Sequence, residues 1–201
     1  MQTLSAVLHQ GDQDPALQEI ILALASAGER ISAKLRLGAL ASILGDAKKV
    51  NVQGEQQKKL DIIANQIVID KLSSLKAVAG MASEEEEQFI TGHPEGRYLV
   101  MFDPLDGSSN IDIDISVGTI FSLFMKPRDE DLQEKHFLQP GNKQVAAGYI
   151  LYGPQTLLVM TFGQEVLFFT LDHKGEFRQQ TSPPSLVQET QEFAINMSNQ
   201  R

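Results

Sequence analysis

Two aspartates three residues apart open the segment DPLDGSSN at 103–110, which follows the apolar run YLVMF at 98–102. The run predicts a buried strand that ends where the carboxylates begin. Asp103 and Asp106 are oxygen ligands of the kind that hard cations such as Mg²⁺ prefer. Gly107 lets the backbone approach a ligand, and a turn of N–H groups and hydroxyls suits a phosphate oxygen. The segment therefore predicts a metal and phosphate site, although the same residue types also build ordinary turns.

A second acidic segment, SEEEE at 83–87, follows a short strand predicted at 78–81. A run of glutamates is usually a solvated face, and we interpret Glu86 and Glu87 in that way. Glu84 and Glu85 instead stand at a strand end, as Asp103 does. Two neighbouring strand ends that each deliver carboxylates would make a site for two metal ions.

The elements that would position these acids are predicted from apolar periodicity. A long helix is predicted from about residue 15, with Asp14 as its N-cap, and a second helix at 58–72. The first 14 residues carry few apolar anchors and predict a loosely held start. Loops are predicted at 45–57 and 126–143, and further strands at 116–125, 145–152, 156–162 and 165–171. Together these elements predict an α+β fold in which two long helices pack on a mixed or largely antiparallel sheet.

Composition narrows the function classes. At 201 residues the chain fits one or at most two domains, and a hydrophobic share of 42% supports a substantial core. The net charge of −9 argues against nucleic acid as a partner. The sequence has no run of about 18 apolar residues that could span a membrane, and its first residues do not resemble an export signal. We therefore expect a cytoplasmic protein. The absence of cysteine excludes disulfides and thiolate chemistry.

The segment at 103–112, together with SVGTIF at 116–121 and the run at 138–152, resembles class I fructose-1,6-bisphosphatase. That family belongs to the Mg-dependent, lithium-sensitive sugar and inositol phosphatases. The resemblance implies the N-terminal part of the sugar phosphatase fold, a layered α-β-α sandwich, in a homotetramer. It implies hydrolysis of the 1-phosphate of D-fructose 1,6-bisphosphate, in gluconeogenesis or Calvin-type carbon metabolism, with Mg²⁺ as cofactor and Mn²⁺ as a substitute.

The resemblance also implies a role for each residue that matches the family pattern. Asp61 and Glu85 would activate the attacking water, and Glu55, in a mobile loop, would close over the metals. The metal ligands would be four carboxylates and one backbone carbonyl, those of Glu84, Glu85, Asp103, Asp106 and Leu105. The substrate contacts would come from Asp106, Gly107, Ser108, Ser109 and Asn196.

Two features depart from the family pattern. The family's AMP-binding threonine-glycine-glutamate is replaced by DPA at 14–16, although Arg97 and Tyr98 match a lysine-tyrosine pair of that site. A carboxylate there would repel the AMP phosphate, so AMP inhibition is expected to be weak, absent or differently built. Family members also continue into a second domain. We therefore interpret 1–182 as the N-terminal domain that carries the metal site, and 183–201 as a linker and the start of a sugar-binding domain that this chain lacks.

The sequence leaves open three alternatives to an active fructose bisphosphatase: a sedoheptulose bisphosphatase, an inositol phosphatase and a non-catalytic module. Sedoheptulose bisphosphatases and inositol phosphatases share the aspartate-proline-x-aspartate-glycine core, although SSNID at 108–112 favours the fructose enzyme. The chain is either a fragment of a longer enzyme or one that has lost its activity. In the second case it would serve as a non-catalytic metal-binding or assembly module.

Overall fold

The computed structural model describes residues 1–37, 46–50, 56–128, 130–181 and 188–191, with the backbone alone for 46–50 and 56–58. The helices of these residues are α1 (Leu4–Gln10), α2 (Pro15–Leu35) and α3 (Lys59–Ser73). The strands are β1 (Asp46–Val50), β2 (Gln56–Lys58), β3 (Val78–Ser83), β4 (Ile90–Thr91), β5 (Tyr98–Asp106), β6 (Val117–Met125), β7 (Ala146–Tyr152), β8 (Thr156–Thr161), β9 (Val166–Leu171) and β10 (Phe177–Gln179). Short 3₁₀ helices lie at Ser108–Ile113, Glu134–His136 and Gly141–Lys143.

Eight of the strands in the described residues form one mixed sheet in the order β10-β9-β8-β7-β6-β5-β3-β4. Only β3 and β5 run parallel, and the other neighbours are antiparallel. The predicted α+β class and the mixed, largely antiparallel sheet are confirmed. The loop predicted at 45–57 is wrong in part, because the backbone of β1 pairs with that of β2.

The helices pack on one face of the sheet. Tyr98, Val100 and Phe102 of β5 join the buried stripes of α2 and α3 in the main core, because alternate side chains of a strand point to the same face. Leu99, between them, belongs to a smaller cluster on the opposite face, with Phe124 and with Phe137 from the long β6–β7 connection. No helix within the described ranges combines the length and apolar content that a membrane span requires.

The prediction of a loosely held start is wrong. Helix α1 is capped by Thr3, whose Oγ1 accepts a hydrogen bond from the Ala6 N–H at 3.2 Å. Leu4 and Leu8 are buried in the main core. Thr3 also forms a β-bridge with Arg178, so the first residues are held by β10, far along the chain.

The predicted N-cap of α2 is confirmed and has a second role. Asp14 Oδ1 accepts a hydrogen bond from the Ala16 N–H at 2.9 Å. Its Oδ2 accepts two more, from Arg97 Nη2 at 2.7 Å and from the Tyr98 hydroxyl at 2.9 Å. The Ala16 N–H and the Tyr98 hydroxyl hold the pKa of Asp14 below its ordinary value, and the charge of Arg97 adds to the effect. One carboxylate therefore joins the start of α2 to the start of β5.

Asp14→Ala is expected to lower the free energy of unfolding by about 1 kcal/mol at neutral pH, because the helix loses its cap. The lowered pKa means that the ionised carboxylate stabilises the fold above the unfolded-state pKa of about 3.9. That stabilisation is lost as the pH falls through the lower folded-state pKa. Urea unfolding from pH 7 down to pH 3 should show the difference from the native chain shrinking in acid. Asp12→Ala, at an exposed neighbouring aspartate, is the control, and a difference that does not change with pH would contradict the assignment.

Candidate active site

The parallel pairing of β3 with β5 brings two acidic side chains together. Ser83 pairs with Phe102 in the parallel register, and the Glu84 N–H donates to the Phe102 carbonyl at 3.1 Å. Glu84, which directly follows β3, and Asp103, which follows Phe102 within β5, therefore lie side by side, close enough for Glu84 to raise the pKa of Asp103. The two acids come from neighbouring strands, as expected, but the predicted strand end at Phe102 is wrong, because β5 continues to Asp106 and Asp103 lies within it.

The surroundings of Asp103 favour a cation. Burial raises the pKa of Asp103 to about 8, and the hydrogen bond and charge of Glu84 and the charge of Asp106 act in the same direction. The Leu105 N–H opposes this rise by donating to Asp103 Oδ1 at 2.9 Å. A half-buried carboxylate crowded by like charges is stabilised by a positive ion.

Helix α3 delivers a third acid to the same motif. Asp61 is only 2% exposed, and its Oδ2 accepts a hydrogen bond from Ser108 Oγ at 3.1 Å. Ser108 begins the 3₁₀ helix that follows Gly107, whose φ of 77° is a left-handed conformation that glycine adopts without strain. The carboxylate of α3 is therefore joined to the glycine-serine turn.

The donor chemistry fits a hard divalent cation. Every candidate ligand is an oxygen, which suits Mg²⁺ or Mn²⁺. In the described part of the chain, no three acidic, histidine or cysteine side chains stand together closely enough to hold a metal by themselves. A cation at the Glu84–Asp103 pair would need further oxygen donors, and the Leu105 carbonyl and substrate phosphate oxygens are of the right type.

Of the remaining predicted residues, the structure describes Asp106, Ser109 and Glu85. Asp106 ends β5 and is exposed, and Ser109 lies exposed in the 3₁₀ helix. Glu85 is half-buried, and its N–H donates to Ser83 Oγ at 3.2 Å. Glu55 and Asn196 lie outside the described residues.

One prediction about the glutamate run needs correction. Glu86 is exposed, but it is not simply a solvated charge, because its Oε1 accepts a hydrogen bond from Asn65 Nδ2 at 2.7 Å. Sequence reasoning missed Asn65. The signal that could have found it is its spacing, since Asn65 lies four residues after Asp61 on the same face of α3.

An open apolar groove adjoins the carboxylates. Its volume is about 680 Å³, and it runs over the face of the sheet opposite the helices, with Glu84 and Asp103 among its lining residues. Large apolar side chains are exposed along it, including Ile120 at 47% and Val166 at 53%. A contiguous apolar surface of this kind is typical of an interface.

Fold and site together define a class, an α+β domain that presents carboxylates and a glycine-serine turn for a divalent cation and a phosphate. The family model "Fructose-1-6-bisphosphatase, N-terminal domain" matches residues 3–182. The chain belongs to the fructose-1,6-bisphosphatase family.

Named relatives agree with this family. The class 1 fructose-1,6-bisphosphatase of Neisseria meningitidis serogroup A is 56% identical over 96% of this chain and 60% of its own length. That of Shewanella baltica is 52% identical over 100% of this chain and 62% of its own. The crystal structure of Leishmania major fructose-1,6-bisphosphatase in holo form is similar with a TM-score of 0.84 and 34% identity, covering 89% of this chain and 58% of the other. The chain thus spans about three fifths of the length of the curated relatives it matches.

Proposed function

We propose that this chain supplies the metal and phosphate side of an active site that hydrolyses the 1-phosphate of D-fructose 1,6-bisphosphate, giving fructose 6-phosphate and phosphate. The observation that carries the proposal is that the parallel register of β3 and β5 places Glu84 beside Asp103, next to a motif whose Ser108 donates to the buried Asp61. Family membership and the names of the relatives support it. The enzyme would serve carbohydrate metabolism, as gluconeogenesis or Calvin-type carbon metabolism.

Each residue has a distinct task in this proposal. Glu84, Glu85, Asp103, Asp106 and the Leu105 carbonyl would hold Mg²⁺, or Mn²⁺ in its place. When bound, the metal would neutralise the phosphate and lower the pKa of a water molecule. Asp61 and Glu85 would orient the attacking water and accept its proton.

The glycine-serine turn would bind the phosphate. Gly107, Ser108 and Ser109 would donate hydrogen bonds to its oxygens, where negative charge is spread in a loose transition state. Because the Ser108 hydroxyl gives its one proton to Asp61 in this structure, Ser108 would donate to the phosphate from its backbone N–H. In this proposal Asp106 and Asn196 would contact the substrate, and Glu55 would close over the metals, as predicted from the sequence.

The test is phosphate release by the natural protein, with its intact mass measured alongside. We expect Mg²⁺-dependent, lithium-sensitive release from fructose 1,6-bisphosphate, faster than from sedoheptulose 1,7-bisphosphate or inositol 1-phosphate. A preference for one of the other two substrates would support that phosphatase instead. Metal binding without any hydrolysis would support the non-catalytic metal-binding or assembly module.

We also propose that 1–182 is the N-terminal domain, that 183–201 links it to a sugar-binding domain, and that this second domain covers the apolar groove. Support comes from the greater length of the relatives and from the exposed Ile120 and Val166 beside the carboxylates.

The 201-residue chain is therefore expected to self-associate through the groove as its concentration rises. Sedimentation velocity should detect this, and Ile120→Lys should reduce it by placing a charge in the groove. Ile113→Lys is the matched control, since Ile113 is exposed but does not line the groove. A monomer at every concentration would contradict the prediction.

AMP is expected to inhibit weakly or not at all. The Asp14 carboxylate already accepts hydrogen bonds from Arg97 and Tyr98, the two residues that match the family's nucleotide site. A phosphate would have to displace this carboxylate and would be repelled by it. Calorimetric titration of AMP should show weaker binding to the native chain than to Asp14→Asn. Potent inhibition of the natural protein by AMP would contradict this.

Two further features remain proposals. We place the protein in the cytoplasm, because a sugar bisphosphate is too strongly charged to cross a bilayer unaided. The homotetramer stays a prediction, which sedimentation of the natural protein would test.

A further inference from the structure

Asn65 occupies an unusual position for an amide on a helix. It is only 6% exposed and lies one helical turn beyond Asp61 on α3. A buried amide destabilises the fold unless its donor and its acceptor are both hydrogen-bonded. Here both ends of the amide bond to the segment that carries the candidate metal carboxylates.

The hydrogen bonds form a continuous chain. The Glu85 N–H donates to Ser83 Oγ at 3.2 Å, and the Ser83 hydroxyl donates to Asn65 Oδ1 at 2.8 Å. Asn65 Nδ2 then donates to Glu86 Oε1 at 2.7 Å. The orientation of the amide follows from its partners, because a carboxylate only accepts and the Ser83 hydroxyl must give its proton elsewhere than to the Glu85 N–H.

These hydrogen bonds connect the two segments that carry active-site acids, α3 and the end of β3. Asp61 and Asn65 share one face of α3, and Ser83 to Glu86 include the end of β3 and the turn that follows it. The turn itself is held by the sheet through the Glu84 N–H and by a bond of 3.3 Å from the Glu86 N–H to the Ser83 carbonyl. Asn65 adds a side-chain tie from the helix on both sides of Glu85.

We propose that Asn65 is a positioning residue, which fixes the 84–87 turn against α3 so that Glu84 stays beside Asp103 and the Glu85 backbone is held in register with Asp61. In this arrangement Glu86 accepts the hydrogen bond from Asn65 and is not a metal ligand. The effect of Asn65 on metal affinity rests on the proposed function, because that function supplies the metal site. Hydrogen bonds that orient ligands from outside the coordination sphere change metal affinity by about 10- to 100-fold when removed.

The experiment measures Mn²⁺ binding to the 201-residue chain by calorimetry and electron paramagnetic resonance. Asn65→Ala should weaken binding by about 10- to 100-fold. Asn65→Asp, which has the same shape, should also weaken it although it adds a negative charge, since the new carboxylate repels Glu86. Gln66→Ala is the matched control, because Gln66 makes an amide-to-carboxylate bond of 2.7 Å to Asp70 on the exposed face of the same helix.

A second pair of variants separates charge from position. Glu86→Ala and Glu87→Ala each remove one exposed negative charge, but only Glu86 is bonded to Asn65. We expect weaker Mn²⁺ binding in Glu86→Ala than in Glu87→Ala. This surface pair keeps the test decisive if Asn65→Ala does not fold, and equal affinities in the two variants would overturn the proposal.

A metal-free measurement distinguishes this inference from the proposed function. Amide hydrogen exchange at Glu85 should accelerate in Asn65→Ala and stay unchanged in Gln66→Ala. If the native chain binds Mn²⁺ and Asn65→Ala binds it equally well, the positioning role is overturned while the proposed metal site stands. If the native chain binds no Mn²⁺, the metal assignment fails, and unchanged Glu85 exchange in Asn65→Ala would then overturn the positioning role as well.

Discussion

Asp103→Asn is expected to weaken Mn²⁺ binding by at least about 100-fold and to reduce phosphate release by the natural protein at least as much. The substitution keeps the shape of the side chain but replaces an anionic oxygen ligand with an amide. It should also raise the thermal midpoint of the metal-free chain, because it removes a carboxyl group that is half-buried against Glu84 and near Asp106. Loss of function together with a gain in stability is typical of a residue kept for chemistry.

The control for this prediction is Asp131→Asn, which removes the same charge from an exposed loop position. It should leave Mn²⁺ affinity, turnover and thermal midpoint close to those of the native protein. Calorimetry, phosphate assays and thermal unfolding on both variants give the comparison. Turnover by Asp103→Asn at the native rate would remove Asp103 from the metal site, and with it the main support for the proposed chemistry.

Gly96→Ala is expected to lower the free energy of unfolding by about 3 kcal/mol, the upper part of the range for overfilled sites. A Cβ at Gly96 would lie 2.4 Å from Ala79 N and 2.5 Å from the Val78 carbonyl carbon. Both atoms belong to the backbone of β3, which cannot move aside without disturbing its pairing with β5. Because β3 carries Glu84 at its end, Mn²⁺ affinity should fall along with stability.

Gly141→Ala is the matched control, since a Cβ there would meet no atom within 4 Å. Chemical denaturation of the two alanine variants should show a large loss for Gly96 and a change within about 0.5 kcal/mol for Gly141. Equal stability of both variants would mean that the backbone at Gly96 relaxes without cost, contrary to the packing seen here.

Local patterns predicted much of the fold. The caps, helical stripes and strand alternation depend on neighbours within a few residues, so α2, α3 and the strands from β5 to β9 could be placed from the sequence. Helix α1 could not, because Leu4 and Leu8 are anchored by packing and Thr3 by a bridge to Arg178. Those partners are distant in the chain, and no short pattern around residue 4 reveals them.

The candidate site divides in the same way. The sequence by itself determined which acids follow the apolar residues of two strands and which motif resembles a phosphatase, because residue type and order carry that information. Only the tertiary structure decided that the buried Asp61 accepts a hydrogen bond from Ser108, that Glu84 lies beside Asp103, and that Asn65 donates to Glu86. The physical reason is that burial and long-range hydrogen bonds depend on the parallel pairing of β3 with β5 and on the packing of α3, which join segments that lie tens of residues apart.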